Sequence, residues 1–469
     1  MTLSRTVTVA ALVVGAGYAG LCIVGRVGSA WPLEWMEGAS VLHAQRLWAG
    51  LPLYTAPQAA FIPFVYPPLS YLPMGLGLIL SGGALWGARL ASVAALVLSA
   101  FALWRAGKHL SGSHHAGLLA AGLLGMGYGY TGGFSDLARV DAFFCALSLC
   151  AVERLCARRY AQGLGLLALA CMAKQHALLL LAAASLGVWT VRGRAALAGV
   201  LGSWLGLAAC VAALCAHSDG WFWTYCVVVP AGHGVVPSLL LSFLLVDLLV
   251  YLPVPTTLCV YFVVARRDPR SRLLSLLWLA AVAASALGRA HPGGDDNVRL
   301  PAYALSALIA AHSFCDLLAT RRRWRWPLIG ALAAQYVMLF QPPALYWPTQ
   351  QTAQHFTQLK ASLASCAGSN DFAAMDHVGL GGHPFVHTLA LSDLRMKHDA
   401  LAVRATATVL SALEGPAEEA PQAVAISSSF PALMRTLAKH YELCARAPAL
   451  HLPSGYSLPE TYVYRRTPR

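Results

Sequence analysis

Charge is what this chain has least of. Of its 469 residues only 11% are Asp, Glu, Lys or Arg, against 58% apolar, and mean hydropathy is +0.59. That leaves too little polar surface to cover a soluble globule of this length, so the shortage excludes one and indicates a polytopic α-helical membrane protein. Acids are scarcer still, 20 against 33 Lys and Arg, for a net charge of +13. Such an excess would suit nucleic acid if it formed one patch, but the cations are spread over the ends of apolar runs. Zinc-ligand spacing is also lacking: most of the 12 cysteines, among them Cys145, Cys150, Cys171 and Cys210, lie in apolar runs, where they act as small hydrophobes.

Long apolar runs, by contrast, recur over residues 1–341. A crossing needs about 20 apolar residues, and spans near 7–26, 86–104, 116–131, 140–156, 162–174, 176–191, 195–216, 239–265, 273–288, 301–319 and 326–341 predict about eleven transmembrane helices. Arg5, Arg105 with Lys108, Arg154 with Arg158 and Arg159, Arg192 with Arg194, Arg266 to Arg272, and Arg321 to Arg325 fall on one side. Glu34, Glu37, Asp136, Lys174, His217, Asp219, His291, Asp295 and Asp296 fall on the other. The positive-inside rule makes the first set, and the N-terminus, cytoplasmic. The charge excess is then topology, and no nucleic-acid partner is expected. Counting residues 69–82 as a further crossing would invert every later loop, so YPPLSYLPMGLGLILSGG reads as an interfacial or re-entrant helix in the first outer loop. Pro253 and Pro255 predict a kink in the eighth span.

The first span also resembles a signal peptide, but its apolar run is long and a retained helix is expected. It contains GAGYAG at Gly15–Gly20, a literal match to the dinucleotide fingerprint. That motif needs a flanking strand and a second strand ending in an acid. Neither is present, and Ala11, Gly15 and Ala19 suit close helix packing in lipid instead.

The polar residues of the outer loops are the candidate site. Glu34 and Glu37 lie in the first loop, Asp136, Arg139 and Asp141 in the second, Lys174 and His176 in the third, and His291, Asp295, Asp296, Asn297 and Arg299 in the fifth. Polar groups at that depth are costly unless they line a cavity or carry function. The bland alternative is that each acid caps a helix or pairs with the nearest arginine. Asp141 at a helix N-terminus fits that reading; Arg139, an outer cation, calls for an anionic partner, whether Asp136 or a lipid phosphate.

Taken in order, EGASVLHAQRLWAGLPLY, YPPLSYL, LARVDAFFCAL, ACMAKQHALLLL and GGDDNVRLP resemble the GT-C membrane glycosyltransferases, in particular the protein mannosyltransferases, the lipid A aminoarabinose transferases and their bacterial family 39 relatives. The resemblance implies transfer of a sugar from a polyprenyl-phosphate donor to a lipid, glycan or protein acceptor at the extracytoplasmic face of a bacterial inner membrane. Glu37 matches the glutamate of the family's DE motif, with Met36 in place of the aspartate and Glu34 one turn earlier to compensate if the segment is helical. Arg139 and Asp141 match its R-x-D element, Ala173 to Gln175 its T-K-G-like turn, and Asn297 and Pro301 its late asparagine and proline. Glu37 is then expected as base, Asp141 as the second carboxylate, and Arg139 with Lys174 as phosphate contacts. Tyr54, Tyr66 and Tyr71 would line the substrate route or form an interfacial aromatic belt. No cofactor is expected; two outer carboxylates would suit a divalent cation, which is left unassigned.

Residues 342–469 lose the membrane character and predict a small extracytoplasmic α/β domain, an accessory or acceptor-binding lid. QAVAISSSF and LPSGYSLPETYVYRR read as strands, PALMRTLAKHYELCARA as a helix, and Gly381, Gly382 and Gly415 with Pro416 as turns. Cys366 and Cys444 are expected to pair if that compartment is oxidising. Two other classes stay open: a transporter or lipid flippase using Asp247, although no repeated hydropathy unit supports it, and an inactive glycosyltransferase-like membrane partner.

Overall fold

The computed structural model describes residues 2–291, 293–377, 379–380, 382–395, 399–416, 419–427, 431–455 and 457–467; Gly381 lies outside them. The membrane part is built of α1 (Thr2–Val24), α2 (Glu37–Trp48), α3 (Tyr71–Leu80), α4 (Leu85–Ser111), α5 (His114–Met126), α6 (Asp141–Cys156), α7 (Tyr160–Cys171), α8 (Ala177–Arg192) and α9 (Leu197–His217). There follow α10 (Trp221–Ala231), α11 (Pro237–Val250), α12 (Pro253–Ala265), α13 (Pro269–Arg289), α14 (Leu300–Thr320) and α15 (Arg325–Leu339). Among the described residues six helical stretches are long and apolar enough to cross a membrane, and the pair α11 and α12 would make a seventh. Exposed Val13, Val97, Leu205 and Val337 give the bundle a lipid-facing surface. This is an integral membrane protein.

The eleven expected spans are all largely helical, but α5, α6 and α7 have 13, 16 and 12 residues, shorter than a crossing needs. Glycine and polar loops cut them short, and irregular backbone at that depth is tolerated because protein surrounds it. Glycine sets the packing around α5. A Cβ on Gly15 would overlap the backbone of Gly122, and one on Gly117 the backbone of Trp104. The GAGYAG run is thus a helix-packing surface, as its small-residue spacing suggests. The predicted kink is a break: α11 and α12 meet at 95°. Buried Gln335 of α15 satisfies the backbone freed there, donating to the Tyr251 carbonyl (2.8 Å) and accepting from Val254 N (3.2 Å).

The first outer loop contains two helices. The expected one, α3, has only 10 residues and is too short to span; α2 precedes it, and the Pro- and aromatic-rich run between them is irregular apart from a single 3-10 turn at Pro68–Ser70. His43 ties α2 to that run, with Nδ1 donating to Ala39 O (2.6 Å) and Nε2 accepting from Phe64 N (2.8 Å).

The C-terminal residues form α16 (Gln350–Ala367), β1 (Phe372–Ala374), α17 (Thr388–Arg395), α18 (Asp399–Glu414), β2 (Ala423–Ile426), α19 (Pro431–His440), β3 (Tyr441–Ala447), β4 (Leu450–His451), β5 (Ser457–Leu458) and β6 (Thr461–Arg466). The main sheet runs β1-β2-β6-β3, with β1 parallel to β2 and the other pairs antiparallel. The expected helix 431–447 stops at His440, and YELCARA is strand β3, because pairing with β6 outweighs its local helical spacing. Cys366 and Cys444 are joined, linking α16 to β3.

Candidate functional site

Glu34 and Glu37 part company at the start of α2. Residues 29–36 are not helical, so the two acids do not share a helix face. Glu37, at the first position of α2, points inward and is fully buried. Its oxygens accept from Arg89 Nε (2.9 Å) and Nη2 (2.8 Å) and from the backbone N–H of Leu33 (2.7 Å) and Ala138 (3.0 Å). Burial alone would raise this carboxyl, but Arg89 and the backbone donors outweigh it and hold Glu37 below the ordinary carboxylate range. Arg89 in turn donates to the carbonyls of Ser29 (2.6 Å) and Trp31 (2.8 Å). The pair therefore fixes the loop 29–37 against α4. The proton-acceptor role expected for Glu37 draws no support from this geometry: Glu37 lines neither of the two pockets described below, and each of its oxygens already holds two donors.

Glu34 instead lines a cavity of about 430 Å³, together with Tyr66, Arg139, Lys174, His176, His291 and Asn297. Its Oε2 accepts from Arg139 Nη1 (2.9 Å) and from Met36 N (2.9 Å). Burial pushes Glu34 above the ordinary carboxylate range, and Arg139 only partly offsets this. Asp141, in the first turn of α6, sits at the cavity's edge beside Lys174, His176 and Asn297. Lys174 Nζ (2.6 Å) and Asn297 Nδ2 (3.0 Å) both donate to its Oδ1. Its Oδ2 and Arg139 Nε are buried, have no hydrogen-bond partner among the described residues, and are 3.8 Å from one another. His291 packs against His233 with ring centroids 5.1 Å apart; burial and the neighbouring His233 and Lys174 lower it to about 4, so at neutral pH it is an uncharged donor or acceptor.

Two further expected site residues lie elsewhere. Asp136 is fully buried behind the cavity, accepting from Arg26 Nε (3.0 Å) and the Tyr128 hydroxyl (2.8 Å); it fixes the start of the first loop and has no face on the site. Tyr54 donates to the Tyr66 carbonyl (2.8 Å) and packs on Phe222, so it supports the wall without lining it. Tyr71 is buried against His43. Asp247 pairs with Arg299 (3.1 Å) and lies 3.6 Å from Arg289.

Other residues of the cavity were not anticipated. Helix α10, in a stretch taken as loop, leads into the cavity with Pro230 and His233, and α17 of the C-terminal part contributes Leu389 and Asp393. Burial raises Asp393 to about 7. The C-terminal part also grips the first loop: Trp31 stacks on Phe356 (5.7 Å), His387 packs on Trp35 (5.3 Å), and Val386 N donates to Ala59 O (2.9 Å). Arg89 was detectable in principle, since an arginine within an apolar span needs an anion. Asp393 carried no such signal, lying in an unremarkable amphipathic segment. Among the described residues no group of three or more His, Cys, Asp or Glu is placed to hold a metal ion, and Glu34 and Asp141 are each occupied by a cation of the chain.

No protein-family model and no curated protein matches this sequence. Solved structures do match. ArnT from Cupriavidus metallidurans bound to undecaprenyl phosphate superposes with a TM-score of 0.57 at 14% identity, covering 100% of this chain and 99% of that chain. The oligosaccharyltransferase AglB from Archaeoglobus fulgidus, in complex with an inhibitory peptide and a dolichol-phosphate, gives 0.52 at 10% identity over 99% of this chain and 74% of that chain. The Archaeoglobus fulgidus oligosaccharyltransferase with Zn and sulfate gives 0.53 at 12%, over 88% and 67%. The chain has the GT-C fold of these glycosyltransferases.

Proposed function

We propose that this chain is an integral-membrane glycosyltransferase that moves a sugar from a polyprenyl-phosphate donor to a hydroxyl of an envelope lipid, glycan or protein. The reaction takes place at the extracytoplasmic face, with residues 1–341 as the catalytic unit and 342–469 as an outer domain that closes the cavity. The observation that carries this reading is the meeting of Glu34, Arg139, Lys174 and Asn297 at one cavity, with Asp141 bonded to Lys174 and Asn297 in the small pocket beside it, on a fold shared end to end with a protein solved with undecaprenyl phosphate.

The chemistry follows from the groups present. As the acceptor oxygen attacks the anomeric carbon its proton passes to Glu34, whose raised affinity for a proton suits a base in a desolvated site. The bond from the anomeric carbon to the phosphate oxygen breaks, and the polyprenyl phosphate leaves as an anion. It needs cations rather than an acid. Lys174 Nζ, with one hydrogen bond to Asp141, and Arg139, with Nε free of hydrogen bonds, are the groups available. Asp141 is a positioning residue that holds Lys174 and Asn297 in place, and Tyr66 walls the cavity 5.9 Å from Lys174 Nζ. No step is routed through a metal ion.

The test is transfer of labelled sugar from a polyprenyl-phosphate donor by the reconstituted protein. Glu34→Gln should abolish turnover with donor binding retained; turnover at the normal rate would remove Glu34 as base. Movement of labelled lipid between leaflets without sugar transfer would replace the reading with a transporter, in which Asp247 would have to work while paired with Arg299.

A further inference from the structure

The face opposite the candidate site carries a larger cavity, about 680 Å³. It opens among the first turn of α1, the α4–α5 turn, the last turns of α12 and α14 and the start of α15. These are the helix ends on the side where the arginine groups stand. Its ionisable lining includes Arg266, Arg325, His115, His312 and Asp316, with Ser4, Ser111 and Ser113 beside them, and Leu3, Leu110 and Leu318 provide an apolar flank.

Its charges do not balance. Arg266 pairs with the single carboxylate, Asp316, at 2.7 Å. Arg325 uses only Nε, on the Leu318 carbonyl (3.0 Å), which leaves its terminal nitrogens without a partner among the described residues. His312 packs edge-on against Phe262 at 5.8 Å, and its Nδ1 is buried with no hydrogen-bond partner among the described residues. A buried ring nitrogen left without a partner is costly, and a phosphate, with several acceptor oxygens and a negative charge, suits both that nitrogen and the half-buried Arg325 guanidinium. The depth of the site identifies the source of that phosphate. Arg325 stands between Trp324 and Trp326, which are 51% and 72% exposed, and exposed tryptophans mark the headgroup level of a bilayer.

We propose that this cavity binds the phosphate headgroup of an anionic phospholipid from the leaflet on the arginine-rich side, with Arg325 and His312 as its contacts. Basic pockets between helices on that side are suited to such headgroups. The site is independent of the transfer reaction on the other face.

The full chain, stripped of lipid in detergent, would be placed in bilayers of phosphatidylcholine alone or mixed with phosphatidylglycerol. Retained lipid would be read by native mass spectrometry and stability by thermal midpoint. Phosphatidylglycerol should be retained in preference and should raise the midpoint. Arg325→Gln should lower that preference about fivefold, the equivalent of about 1 kcal/mol per cation at the surface. Arg322→Gln, at an exposed position outside the cavity, should leave it unchanged. Equal retention of the two lipids, equal loss in both variants, or the same midpoint rise from inorganic phosphate in phosphatidylcholine would overturn the proposal; the last result would mark a free-phosphate site.

Discussion

In the sealed pairs behind the first outer loop, Glu37 with Arg89 and Asp136 with Arg26, both carboxylate oxygens accept bonds and each guanidinium nitrogen donates one. In the adjoining cavity the inventory is the same, acids beside arginine and lysine, yet Arg139 Nε and Asp141 Oδ2 have no hydrogen-bond partner. Burying ions costs several kcal/mol each unless geometry and hydrogen bonds compensate. The sealed pairs compensate fully and act as structure. The cavity leaves part of its binding capacity open, which is the condition for a ligand to use it.

The largest separation of the two regions should come from Glu34→Gln. Loss of the base should lower turnover about 10²–10⁴-fold, while the thermal midpoint moves less than in a sealed-pair variant; a folded variant with normal turnover would erase the distinction. Glu37→Gln should do the reverse. Leaving Arg89 buried against a neutral partner should cost about 3–5 kcal/mol of stability, visible as lost yield and a lowered midpoint, with any protein that folds keeping near-normal turnover per molecule. If instead turnover vanished at unchanged stability, Glu37 would belong to the chemistry. Replacing Cys366 and Cys444 by serine tests whether the C-terminal part is needed to hold the loop. The expected loss is about 2–4 kcal/mol, confined to that part, with a higher acceptor KM as its grip on Trp31 and Trp35 loosens.

A pH dependence is expected at Asp393, spread over several pH units. Its carboxyl is raised by burial to about 7 in the fold, above an ordinary value of about 3.9, so between those pH values the native state binds more protons than the unfolded one. Stability should therefore fall as pH rises through that window, by at most about 1.4 kcal/mol per unit. Asp393→Asn should flatten the profile, and an unaltered slope would show that Asp393 is not its source.

Much of this was legible beforehand. Hydropathy located the helices, and the alternation of charge gathered the polar loops on one face and kept residues 69–82 from being counted as a crossing. The resemblance to glycosyltransferases named Arg139, Asp141, Lys174 and Asn297, which the structure brings together. It also pointed to Glu37, which the structure pairs with Arg89, and the argument that Glu34 shares a helix face with it does not hold, because α2 begins at Glu37 itself. Strand β3 was misread for a related reason: its helical spacing is local, whereas its partner β6 lies downstream in the chain.

The membrane class, the helical segments and the polar face were set by the sequence alone, because hydropathy and charge act residue by residue and need no knowledge of neighbours in space. Which acid is sealed and which is open was decided only by the tertiary structure. Arg89 reaches Glu37 across 52 residues of chain, Asn297 reaches Asp141 across 156, and Asp393 reaches the cavity from the C-terminal helix α17. A carboxylate is a base or a brace according to the donors that surround it, and those donors come from distant parts of the chain.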